Sequence, residues 1–96
     1  MAHKNPKDVK SPRNKWTLLV VLHDGGEGND ALAVGEWEGN RVLGARWNGN
    51  EESPVGNPQS RGIATWFVLP ERYNEALLAT LPENKQMIAR ALFEIA

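Results

Sequence analysis

The 96-residue sequence predicts an α+β domain: a four-stranded, mainly antiparallel sheet, half-open and curved in one variant, followed by two C-terminal helices packed on one face. Three observations predict it. Trp16–Leu22 and Ile63–Leu69 are short apolar runs of strand length, rich in β-branched residues. Ala31–Glu38 and Arg41–Asn48 flank Gly39-Asn40, a dipeptide suited to the positive φ angles of a two-residue hairpin turn. After Pro70 the apolar spacing lengthens to that of helices. Strands in one block and helices in the next indicate α+β, with the helices gathered on one side of the sheet.

Residues 1–15 carry Pro6 and Pro12 among charged and polar neighbours and are expected to form a flexible basic arm, with 16–96 as the single folded domain. Charge divides the same way. Lys4, Lys7, Lys10, Arg13 and Lys15 stand against Asp8 alone, a charge of +4, whereas the remaining chain holds six basic and eleven acidic residues, a charge of −5. Such an arm attracts nucleic acid or an acidic partner, or serves only as a solvated terminus that folds back on its own body.

Trp16–Leu22 is apolar without alternation, as in a central strand covered on both faces. His23–Asp30 (HDGGEGND) is a glycine-rich acidic turn. In the hairpin, closure around Gly39-Asn40 would set Glu38 against Arg41, Trp37 against Val42 and Val34 against Ala45. One face then carries Leu32, Val34, Leu43, Ala45 and Trp47 and resembles core. The other carries Ala31, Ala33, Gly35, Gly44, Trp37, Val42 and Arg46: small residues beneath a tryptophan and an arginine, with room for a packed helix or a ligand. Ile63–Leu69 is expected as an interior strand ending at Pro70. A first helix is expected over Glu71–Thr80, and a second opens at a capping box, Thr80-Leu81-Pro82-Glu83, with Ile88, Ala91, Leu92 and Ile95 on its apolar face.

The stretch between Asn48 and Gly62 is the candidate site. Structureless loops longer than about 12–15 residues are uncommon in compact domains and are usually functional or disordered. Within it, Gly56-Asn57-Pro58-Gln59-Ser60-Arg61-Gly62 offers flexible backbone N–H groups, a hydroxyl and one guanidinium, a composition able to cradle an anion. It lacks the Gly-Lys-Ser/Thr ending of a P-loop and leads into a strand. Arg61 can equally pair with Glu51 or Glu52. Four tryptophans, with Arg41, Arg46 and Arg61 near them in sequence, fit either core filling or an aromatic contact surface, and Trp37 is expected to be the exposed one.

Other chemistries are poorly served. No cysteine is present, which removes disulfides, thiolate nucleophiles and Cys-type zinc sites. Asp24, Glu27 and Asp30 do not follow EF-hand spacing, so no metal or other cofactor is implied. His23, Ser60 and Asp24 can be written as a hydrolytic triad, but no G-x-S-x-G elbow supports one, and no catalytic residue is assigned. No apolar run approaches the roughly 20 residues of a membrane helix, and no secretory signal is evident, so the default location is cytoplasmic with no membrane partner.

The segments Trp47–Gly49, Gly56–Gly62 and Thr65–Pro70 resemble a type of small uncharacterised bacterial protein of similar length, of the kind encoded by mobile elements such as integron gene cassettes or phage. The resemblance implies a bacterial, soluble accessory protein and carries no activity, cofactor or binding residue. The expected function is therefore non-enzymatic: a small binding or regulatory protein, as a monomer or a homodimer completing an exposed sheet edge. Its contact surface would be the 48–62 loop with Trp37, Arg46, Asn57, Gln59, Ser60 and Arg61, meeting a protein or a small anionic ligand. The alternative is nucleic-acid binding through the basic arm and exposed Trp and Arg side chains, and a small hydrolase-like enzyme comes third.

Overall fold

The computed structural model describes residues 3–94. Its strands are β1 (Trp16–Asp24), β2 (Asp30–Trp37), β3 (Asn40–Trp47), β4 (Gln59–Ser60), β5 (Ile63–Ala64) and β6 (Phe67–Val68). Two helices follow, α1 (Asn74–Leu78) and α2 (Glu83–Glu94). The main sheet runs β1-β2-β3-β6, every pairing is antiparallel, and it stays open; β4 and β5 form a separate two-stranded ribbon. The α+β architecture expected from the sequence is thus the one observed.

The hairpin closes one residue earlier than Gly39-Asn40. Glu38 and Gly39 occupy the turn with φ of 51° and 88°, so Trp37 faces Asn40, Glu36 faces Arg41 and Val34 faces Leu43. Relative to the expected register each residue meets a partner two positions along. Side chains alternate with period two, so this slip keeps every residue on its expected face. The expected Glu38–Arg41 pair is replaced by Glu36–Arg41, with Arg41 Nε donating to Glu36 at 2.9 Å and Nη1 to the Leu92 carbonyl at 2.6 Å. That second bond ties β3 to the last turn of α2.

Both faces of the sheet are covered by the chain itself. Leu22, Leu32, Val34 and Leu43 pack against Leu78, Leu81 and Ala89 of the helical region. On the opposite face Ala31 and Ala33 lie with Trp16, Trp66, Ala64 and Val9. The small residues there admit the indoles: a Cβ on Gly35 would lie 2.3 Å from the Trp16 ring. Trp16 and Trp66 stack at 5.9 Å between centroids.

Val9 belongs to the segment expected as a mobile arm. Residues 3–15 instead pack over this second face. Pro6 and Val9 are buried, the Lys4 amide donates to the Asn48 carbonyl at 2.9 Å, and Trp66 Nε1 donates to the Val9 carbonyl at 2.7 Å. Uncovered, this face would leave two large indoles in water, and burying such a side chain is worth about 1.5–3 kcal/mol.

Three further expectations change. The run 63–69 is not one interior strand: it breaks at Thr65–Trp66, and Ile63 and Phe67 remain exposed. The Thr65 amide donates to the Pro58 carbonyl at 3.1 Å and its own carbonyl accepts from Arg46, so it stays with the ribbon and does not join β6, while Trp66 turns its ring into the core. The first helix begins as a 3-10 turn, Glu71–Tyr73, and becomes α-helical only over α1. No capping box forms at Thr80, whose hydroxyl donates back to the Leu77 carbonyl at 2.6 Å. Helix α2 buries Ala89 with Leu92 and Phe93 beside it, while Ile88 and Ala91 point outward and Ile95 lies outside the described residues. Ala89 lets the helix approach the sheet closely, which a face built on Ile88 would prevent. Among the described residues no helix is long and apolar enough to cross a membrane.

Candidate functional site

The 48–62 loop is ordered by its own polar groups. Asn50 Oδ1 accepts from the amides of Glu52 and Ser53, both at 2.9 Å, an Asx-type turn. Asn57 bridges Trp47 in antiparallel fashion, and β4 and β5 close a tight ribbon whose turn residues, Arg61 and Gly62, have φ of 52° and 82°. Asn48 is fully buried, donating from Nδ2 to Asp24 Oδ1 and to the Gly26 carbonyl, both at 3.0 Å. Gly28 donates to the Gly49 carbonyl at 2.7 Å, so the acidic turn and the long loop are fastened together.

Arg46 is the centre of this arrangement. Only 3% of it is exposed, and its guanidinium donates to the carbonyls of Thr65, Val55, Trp47 (2.9 Å) and Pro58 (3.3 Å). A planar fork with several donors suits carbonyls converging from separate segments, as a lysine would not. Burial pulls its pKa below the ordinary arginine value. Gly56 must be glycine beside it: a Cβ there would lie 2.1 Å from the Trp47 carbonyl and 2.8 Å from Arg46 Nη2.

The expected site residues are consequently not one surface. Arg46 is buried as a backbone staple: its fork is committed to four carbonyls, and it contributes only to the lining of a neighbouring cleft. Trp37 is half-buried at the turn end of the hairpin, facing Asn40, with the Lys15 ammonium 6.0 Å from its ring centroid. Arg46 pairs with Ala31 at the open end of the same hairpin. Arg61 and Ser60 are exposed on the ribbon, Gln59 Nε2 reaches back to the Gly56 carbonyl at 3.4 Å, and Asn57 is exposed with its backbone spent on Trp47. The amides of Gly56 and Asn57 donate to Ser53 and Trp47 carbonyls, so the expected anion cradle has lost two of its donors.

What the loop does build is an aromatic concavity at the open end of the hairpin. Trp47 is 57% exposed and Phe67 58% exposed. With Asp30, Ala45, Arg46, Asn57 and Pro58 they line a cleft of about 570 Å³. Trp47 faces Asp30 across the β2–β3 ladder, and Phe67 faces Ala45 across β3–β6. By parity Trp47 belongs to the helix-covered face, but it lies beyond the part of that face that the helices bury. Alternation alone places Trp47 with the core residues and gives no sign that Phe67 is exposed. The signal was Asp30, a carboxylate on the same face, which marks where burial ends.

His23 Nε2 lies 3.3 Å from Asp30 Oδ1, and Asp24 Oδ1 accepts from the Gly26 amide and Asn48, so no His23–Asp24–Ser60 array assembles. Among the described residues no group of three or more His, Asp or Glu side chains converges as a metal site. Comparison of the chain with protein-family models, with curated proteins and with solved structures finds no match.

Proposed function

We propose that this is a non-enzymatic binding protein whose contact surface is the Trp47–Phe67 cleft, and that its partner is a protein segment presenting an apolar or cationic side chain. The observation that carries this reading is the exposure of both aromatic rings on one rigidly backed concavity. Aromatic anchors that enter or frame pockets supply most of the energy of protein interfaces. The rim is acidic: Asp30 lines the cleft, and Asp24 and Glu27 lie in the adjoining turn. A partner arginine stacked on Trp47 would find a counter-ion within reach in Asp30, whereas an anion would meet a guanidinium, that of Arg46, whose donors are already committed to backbone carbonyls.

Nucleic-acid binding has less support. Trp16 and Trp66 are buried, the exposed Trp47 stands beside a carboxylate and a guanidinium already committed to backbone carbonyls, and the cluster of Lys7, Lys10, Arg13 and Lys85 lines a different groove.

Selection from a random-peptide display library on the folded protein tests the proposal. Enrichment of a basic-apolar motif that is lost on the Trp47→Ser/Phe67→Ser variant supports it. Equal retention by that variant, with its circular dichroism unchanged, overturns it. Light scattering on the wild type distinguishes a second copy as the occupant.

A further inference from the structure

The outer edge of β1 has no strand partner in the described sheet. Outside its ladder with β2, Thr17 to Val21 make no backbone hydrogen bond among the described residues. Outward-facing N–H and C=O groups on that stretch, on either side of the bulge at Leu19, are therefore free to accept an added strand. A groove of about 690 Å³ runs beside it, with Thr17, Leu18 and Leu19 in its wall. Four cations also line it, Lys7, Lys10, Arg13 and Lys85, and no acidic residue does.

These cations flank the edge from both sides of the sheet. Lys7, Lys10 and Arg13 come from the N-terminal segment that covers the tryptophan face, and Lys85 comes from α2 on the opposite face. A strand laid along β1 would direct alternate side chains toward the two sides. Carboxylates at every second position would meet the three cations of the N-terminal segment, and an acidic residue in the other set would meet Lys85.

We infer that the β1 edge is a docking site for an extended acidic peptide, bound by strand addition and held in register by Lys7, Lys10, Arg13 and Lys85. A second copy of the chain is the less suitable occupant, because two such edges would bring like-charged clusters together. Nucleic acid is also less suitable: the groove pairs its cations with aliphatic side chains, and the indole that borders it, Trp16, is buried and offers no stacking face. The bulges at Leu19 and Leu22 bend β1 and break its alternation, so pairing is confined to short stretches on either side of Leu19, within Thr17–Val21. This surface shares no residue with the Trp47–Phe67 cleft.

The test uses the full chain and a short fluorescein-labelled peptide with glutamate at alternate positions and valine or threonine between. Saturable binding at low salt is expected, with amide shifts concentrated at Thr17–Val21. The Lys7→Gln/Lys10→Gln/Arg13→Gln variant, altered only at exposed side chains, should weaken it at least about tenfold. N-methylation of alternate peptide amides preserves charge and removes the donors, and should abolish binding. The Trp47→Ser/Phe67→Ser variant should bind the peptide as the wild type does. Absence of saturable binding, undiminished binding of the N-methylated peptide, or loss of binding in the Trp47/Phe67 variant would each overturn the inference. So would tighter binding of an oligothymidylate of equal charge, or a dimer in solution that the triple variant dissociates.

Discussion

The ring of Trp16 occupies the space that a side chain on Gly35 would need: its nearest atom is 2.3 Å from where that Cβ would be. The two residues sit on neighbouring strands, and the indole crosses the sheet surface as far as Gly44, where a Cβ would come within 3.0 Å. Glycine here is a fitting for tryptophan. Gly35→Ala should destabilise the fold by about 1–3 kcal/mol, the usual cost of overpacking. Thermal melts followed by tryptophan fluorescence check it. A Gly39→Ala control, with positive φ but open space around it, should cost about 1 kcal/mol and leave the emission spectrum unchanged.

Arg46→Met replaces a buried cation by an apolar chain and leaves the carbonyls of Thr65, Val55, Trp47 and Pro58 without its donors. Each unsatisfied buried acceptor costs about 1–3 kcal/mol, reduced where water can reach it, and a loss of roughly 3 kcal/mol is expected. Arg46→Lys should not rescue it, since an ammonium cannot span four carbonyls. Limited proteolysis should show cleavage between residues 48 and 62 in both variants before the sheet unfolds, and resistance equal to wild type would refute the staple.

Val9→Ser uncovers the edge of Trp66 and loosens the carbonyl that its Nε1 reaches at 2.7 Å. A cost of about 1–2 kcal/mol and a red shift of the buried emission are expected. Hydrogen exchange gives a second measure: the amides of Asp8, Val9, Lys15 and Trp16, which donate to backbone carbonyls, should be protected in the wild type, whereas a mobile arm would exchange at once.

Trp47 should dominate quenching by acrylamide, because Trp16 and Trp66 are shielded and Trp37 is half-buried. Trp47→Phe should remove most of the accessible component and change stability by less than about 0.5 kcal/mol, as surface substitutions usually do. A larger loss would place this ring in the core.

Glu75 accepts from Arg90 at 2.9 Å, linking α1 to α2, and this bond together with the charge of Arg90 holds the Glu75 carboxyl below the usual glutamate range. A folded-state pKa lowered in this way gives stability that is present above the unfolded value and lost as pH falls through the folded one. The difference in stability between wild type and Glu75→Gln should therefore be small at neutral pH and vanish in acid below that range, with salt reducing it throughout. Chemical denaturation at a series of pH values measures it.

The faces of the hairpin were legible in the sequence because alternation survives a slip of two. The turn itself was not: glutamate at position 38 takes a φ of 51°, which a reading based on glycine and asparagine does not anticipate. The cover supplied by residues 3–15 was hidden because only Pro6 and Val9 among them are buried, too few to create a periodic pattern. The break at Trp66 escaped notice because an uninterrupted apolar run does not reveal a chain that turns its ring inward and leaves the ladder. Arg46 looked like a ligand-binding cation among small residues. Its role depends on four carbonyls distant in sequence, and no local pattern records them.

With helices spread over one broad surface and the N-terminal segment over the other, both surfaces proposed for binding lie at the rim of the sheet. Substitutions along that rim touch few packed neighbours, so specificity can drift there while the folded framework keeps its stability. On that proposal a chain of this size could change what it meets without relearning how to fold.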